Sequence, residues 1–128
     1  MKCAVRDTDG RVVFVRHTYG DRRAWELPGG GLRRREDPEV AVRREMREEL
    51  GVELEGLRAI GSVEVSGNHK RTGLQCFEGR IGASAALRAD AGELAEVRWA
   101  PPEDPPQPLG PDVAVLLDLL AGAREGRG

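Results

Sequence analysis

At 128 residues the chain has the size of one compact domain with one core, spanning residues 1–128. Hydrophobic residues make up 39% and charged residues 33%, but aromatics only 4%, so the core must rest on Val, Leu, Ile and Ala. The 22 acids against 20 bases leave a formal charge of −2, which argues against the basic field of a nucleic-acid binder. No apolar run approaches the roughly 18 residues that a membrane span needs. Cys3 and Cys76 match no metal or redox spacing, and no signal peptide precedes them, so they read as small buried side chains in a reducing cytoplasm.

In chain order, residues 2–6 and 11–17 are β-branched runs joined by Asp7-Thr8-Asp9-Gly10, whose Asp-Gly end predicts a hairpin. The first strand begins almost at Met1, which leaves room for a start further upstream. Residues 25–27 form a brief extended piece that ends at Pro28, and Gly29-Gly30-Gly31 follows with backbone freedom. Asp37-Pro38-Glu39 is a helix start, with Asp as N-cap, Pro at the first helical position and an acid in the first turn. The helix should run to about Leu50 and stop at Gly51, with Val42, Met46 and Leu50 as its buried stripe. Strands are predicted over 54–65, 73–81 and 96–100. A proline-rich connector at 101–108 and a closing helix over 111–120 follow, leaving 121–128 as a frayed tail. No repeats occur. Mixed strands around two helices make the fold class α/β, a sandwich.

Chemistry concentrates in residues 30–52. Glu45, Glu48 and Glu49 stand at i, i+3 and i+4, so a helix presents them on one face, off the apolar stripe and partly exposed. A solvated charged face is the ordinary fate of such a run, yet like charges at this spacing repel. A divalent cation reverses that sign, because Mg²⁺ takes a few carboxylates together with waters and substrate phosphates. The cluster therefore reads as a metal platform.

Gly30, Glu36, Arg44, Glu45, Glu48, Glu49 and Gly51, with bulky Met46 and Val52, resemble the complete Nudix box. A shuffled chain of this composition would match the fixed letters with a probability on the order of 10⁻⁵ to 10⁻⁴. The lead-in Trp25-Glu26-Leu27-Pro28-Gly29-Gly30-Gly31 and the downstream stretch at 93–99 are also similar to the family's pattern. The resemblance implies the Nudix α/β/α sandwich with a mixed β-sheet between helices. It also implies hydrolysis of a nucleoside diphosphate linked to another group, with Mg²⁺ or Mn²⁺ and a water nucleophile. Glu45 and Glu49 would be direct metal ligands, Glu48 a ligand or water-mediated partner, and the Gly29 carbonyl a further ligand. Arg44 would orient a glutamate, and Glu36 would bind substrate or a further metal. The general base is either a box glutamate or Glu93 from a later loop, with Glu96 as second choice.

Before the box, Arg16, Arg22 and Arg23 lie where family members often place phosphate or base contacts. Arg33, Arg34 and Arg35 replace a turn that is often Gly or Pro in the family, and an exposed loop is their simpler explanation. His17 and His69 read as surface or loop residues, and Trp25 and Trp99 as packing. The marks of the ADP-ribose, dinucleoside polyphosphate, NADH and coenzyme A types are absent: Ser66 and Gly67 replace the first type's proline, and Tyr19 is the only tyrosine. Elimination leaves a small nucleotide such as a nucleoside triphosphate, as in MutT-like members. Pyrophosphate removal from RNA 5′ ends is a second reading, disfavoured by the missing basic patch. A non-catalytic nucleotide-sensing domain is a third, although the box keeps every carboxylate. A homodimer is left open.

Overall fold

The computed structural model describes residues 1–67 and 70–125. Five strands form one mixed sheet: β1 (Lys2–Arg6), β2 (Val12–His17), β3 (Gly56–Gly67), β4 (Lys70–Arg80) and β5 (Leu94–Ala100), in the order β3-β4-β1-β2-β5. α1 (Pro38–Leu50) packs on one face and α2 (Val113–Glu125) on the other. Strand alternation divides the core accordingly. Cys3, Val5, Val13 and Val15 join Val42, Met46 and Leu50 under α1. Ala4, Val12, Phe14 and Trp25 join Leu116 and Leu120 under α2. Both cysteines are free and buried, one in each cluster, as small apolar side chains, and burial pushes the Cys3 thiol up to about 12.

The predicted hairpin forms at its turn but hardly pairs. Asp7 Oδ1 accepts from the backbone of Asp9 and Arg11, and Gly10 takes a φ of 80°. Beyond that turn β1 and β2 pair only at Arg6↔Val12, and β1 instead runs parallel to β4 along its whole length. The two strands splay because the segment between β2 and α1 wedges into the gap. Glu26 bridges to Val15 of β2, and Gly29 bridges to Lys2 of β1. This wedge is what carries the glycines to the face of α1.

The β3–β4 hairpin is longer than the sequence predicts, reaching Gly67 and Lys70 around a bulge between Ala59 and Gly61. At Gly61 φ is 138°, and a Cβ there would lie 3.2 Å from Leu119, so the glycine lets α2 settle on the sheet. The segment at 101–108 is a connector, as expected, and delivers Pro108 and Gly110 to backbone bonds with Trp25. The closing helix continues to Glu125, beyond the expected end at 120. The readings for His69 and for the last three residues, 126–128, lie outside the described residues.

Candidate active site

α1 begins and ends as its sequence dictates. Asp37 accepts from the backbone of Glu39 and Val40, Pro38 follows, and Gly51 closes the helix in the left-handed region at φ 65°. Val42, Met46 and Leu50 are fully buried. The carboxylates differ from expectation in one respect. Glu48 is exposed and Glu45 half-buried, but Glu49 is only 4% exposed. It stands seven residues after Val42 and three after Met46, so the helix turns it to the edge of the apolar stripe, where the wedge meets it.

The wedge is built to admit carboxylates. The bridge between Gly29 and Lys2 is made by its flanking residues, Cys3 N to Pro28 O (2.9 Å) and Gly30 N to Met1 O (3.1 Å). In that arrangement the N–H and C=O of Gly29 itself turn away from β1. Glu49 sits beside the Gly29 backbone. A Cβ on Gly29 would collide with the Met1 carbonyl, and one on Gly30 would lie 2.5–2.7 Å from the Glu45 carboxylate.

Charge is handled in two ways across this site. Arg44 forks onto Glu36, with Nε to Oε2 and Nη2 to Oε1 both at 2.8 Å, and it also reaches Glu45 (2.9 Å), Glu48 (3.2 Å) and the Gly31 carbonyl (3.1 Å). Glu36 additionally accepts from the Arg33 backbone at 2.9 Å. Its hydrogen bonds to Arg44 hold its carboxyl down at about 2. With both oxygens engaged, Glu36 faces Arg44 and the Arg33 turn. Glu49 has the opposite provision. Burial foremost, then the neighbouring Glu45, raises its carboxyl to about 7, and its Oε2 is buried with no hydrogen-bond partner among the described residues.

The loop before β5 hangs from the C-terminal end of α1. Arg88 N donates to Leu50 O (2.6 Å) and Asp90 N to Glu49 O (2.9 Å), capping carbonyls the helix leaves open. Thr18 ties the loop's other end through bonds to the Gly92 and Glu93 carbonyls. Glu93 is thereby held close enough for its charge to act on Glu49.

The three arginines predicted to contact substrate are placed differently from one another. Arg16 stacks over Trp25 at 4.4 Å, in the cluster beneath α2, and pairs with Glu96 at 2.8 Å. A bulge at Arg16/His17 and strand alternation put it away from the glutamates, and the pair occupies Glu96 as well. Arg22 and Arg23 are exposed on the loop after β2. His17, read as a surface residue, is instead buried at the end of β2. Its Nε2 lies 3.2 Å from Glu26 and its ring stacks on Tyr19 at 4.9 Å. Tyr19 is exposed, and its hydroxyl is raised by partial burial and then by Glu93, Glu49, Glu26 and Glu45, so it overlooks the acids. Sequence reasoning missed this Tyr19–His17–Glu26 group, because only the wedge's register brings Glu26 beside β2.

No three acidic, His or Cys side chains converge on one point among the described residues. That suits a hard cation held by one or two carboxylates plus water and phosphate. The orphaned oxygen of Glu49, beside Glu45 and the outward-turned Gly29 carbonyl, fits such an ion.

A helix–sheet–helix layer with box glutamates facing a glycine wedge defines a class, and the comparisons agree. The NUDIX domain model matches residues 1–120. A MutT-like protein of Streptomyces ambofaciens is 34% identical over 118 residues, covering 90% of this chain and 71% of that protein. An RNA pyrophosphohydrolase of Hydrogenovibrio crunogenus is 40% identical over 53 residues, covering 41% of this chain and 31% of that protein. The crystal structure of a MutT protein from Methanosarcina mazei Go1 shares the fold, with a TM-score of 0.78 at 22% identity over 98% of this chain and 91% of that one. The chain belongs to the Nudix family and is a Nudix hydrolase, acting on pyrophosphate bonds. No helix among the described residues is long and apolar enough to cross a membrane.

Proposed function

We propose that this protein hydrolyses the pyrophosphate bond of a nucleoside diphosphate linked to a further group, using Mg²⁺ or Mn²⁺. A small nucleotide, foremost a nucleoside triphosphate, is the substrate. The observation that carries this reading is Glu49, a buried carboxylate with one oxygen unpartnered and no ion pair among the described residues. Glu45, Glu49 and the Gly29 carbonyl would hold the metal, with Glu48 at the rim acting through water. When bound, the ion masks phosphate charge and lowers the pKa of a coordinated water.

The chain's own residues supply position and proton acceptance. Arg44 fixes Glu45 against Gly30 and is itself locked by Glu36, so Glu36 acts by holding Arg44. Glu93, suspended beside Glu49, is one candidate to accept the water's proton, and a box glutamate is the other. Arg22 and Arg23, on the exposed loop after β2, are candidates for substrate contact; Arg16 is a candidate already engaged by Trp25 and Glu96.

Incubation with Mg²⁺ and a nucleotide panel, with product identification, tests the proposal. Release of pyrophosphate or phosphate with the matching nucleotide is expected. No product from any member at high enzyme concentration would overturn it. Similarity to RNA pyrophosphohydrolases over 53 residues keeps a 5′-triphosphorylated RNA as the second reading, so an oligonucleotide of that kind belongs in the panel.

A further inference from the structure

The turn that joins the glycine wedge to α1 carries three consecutive arginines, and its backbone is specialised. Glu36 N bonds to Arg33 O at 3.0 Å, so residues 33–36 form a four-residue turn with Arg35 in third place. Arg35 has a φ of 62° and is the one non-glycine residue with positive φ among the described residues. That conformation disfavours an L side chain and is the usual place for glycine. A strained residue persists only where its surroundings hold it, and such residues gather at ligand sites.

The surroundings here are hydrogen-bonded to the turn and border the acids. Arg33 N is fixed to Glu36 Oε1, and the Arg33 guanidinium reaches Glu48 at 3.3 Å. Three of the nearby acids that could satisfy the next two arginines are already engaged. Glu36 is bound to Arg44, Asp37 caps the helix, and Glu48 serves Arg33 and Arg44. Glu39, the remaining acid of the first turn, touches neither. Arg34 and Arg35 are exposed, and neither guanidinium has a partner among the described residues. Two unpaired forks on a hydrogen-bonded turn beside a diphosphate-cleaving site suit phosphate oxygens, which guanidinium binds in bidentate fashion.

We infer that the 33–36 turn is a phosphate clamp, in which Arg34 and Arg35 grip phosphate beyond the pair that spans the cleaved bond. The clamp selects a chain of at least three phosphates, on a free nucleotide or on an RNA 5′ end, over diphosphate-linked substrates. This rests on the pyrophosphate-hydrolase reading above, and deepens it by naming what recognises the substrate class.

The test compares the parent with an Arg34→Gln/Arg35→Gly pair. Binding of inorganic tripolyphosphate and of pyrophosphate to metal-free protein is measured by isothermal titration. Tripolyphosphate should weaken about tenfold per lost guanidinium, and at least about fivefold more than pyrophosphate. Equal weakening of both probes, or none, overturns the clamp. With Mg²⁺, the KM for GTP should rise far more than the KM for ADP-ribose while kcat changes little. Arg35→Lys, which keeps the charge, should retain most of the GTP affinity. Arg35→Gly alone should melt no lower than the parent, because glycine suits φ 62°. A lower melting temperature with parallel loss of both probes would make the turn merely structural. If the parent hydrolyses nothing, the enzymatic reading fails while the titration still judges the clamp. Comparing kcat/KM for GTP with that for a 5′-triphosphorylated oligonucleotide then identifies the source of the triphosphate.

Discussion

Two glutamates lie in the interior on different sides of this molecule, and they are provided for in opposite ways. Glu78, on β4, has each carboxylate oxygen on a guanidinium, Arg6 Nε at 2.6 Å and Arg58 Nε at 2.7 Å. Burial alone would raise its carboxyl, but the two arginines outweigh that and hold it below the ordinary value. Glu49 is at least as buried, has no guanidinium on it and keeps one oxygen unpartnered among the described residues, and is raised to about 7. A buried charge left without its partner is expensive. Fully paired, it is a structural device; left open beside Glu45, it is the carboxylate that the proposed cation would take up.

The contrast is broken most severely by exchanging each charge for its neutral isostere. Glu49→Gln should lower turnover about 10³-fold with the fold retained. Glu78→Gln should leave turnover within about threefold but cost about 3 kcal/mol of stability, because Arg6 is left buried without its carboxylate. Urea melts beside initial rates check both. Comparable loss of rate in the two variants would erase the distinction.

Stability against pH sharpens the comparison with a sign. The folded pKa of Glu49, about 7, lies above its ordinary 4.5, so the folded state binds that proton more tightly. The group's favourable contribution is present below pH 4.5, is lost as pH rises to about 7, and falls no further above that. Metal-free Glu49→Gln should therefore be more stable than the parent at pH 8 by about 1–3 kcal/mol, and the gain should vanish near pH 4. Glu78→Gln should be less stable at pH 8. Denaturant titrations at the two pH values decide this. A smaller effect is expected at Gly30→Ala. Its Cβ would meet the Glu45 carboxylate at 2.5–2.7 Å and displace it, weakening Mn²⁺ binding about tenfold with little change in melting temperature.

What could be read from sequence follows from how local each signal is. α1 was legible to the residue, because Asp37, Pro38, Gly51 and the Val42-Met46-Leu50 stripe act within one or two turns. The spacing of Glu45, Glu48 and Glu49 within the box also made the family legible. The hairpin was legible as a turn but not as a pairing, since β1 and β2 are pried apart by a segment that follows both. For the same reason the meeting of His17 with Glu26 was not visible, whereas the burial of Glu49, seven residues after Val42, could have been read from helical periodicity. Arg16 follows Val12 and Phe14 onto the α2 face by strand alternation, while its partners Trp25 and Glu96 come from outside β2 and were not foreseen. The engagement of Glu36 spans a loop and a helix, and no periodicity reports it.

The most direct test of the contrast is the melting temperature of the parent and Glu49→Gln at pH 8, with and without Mg²⁺. The account predicts that the parent melts lower without metal and rises on adding it, whereas Glu49→Gln starts higher and stays put. A variant that starts lower than the parent, or that gains as much from Mg²⁺, would contradict the claim that Glu49 is kept unpaired for a cation.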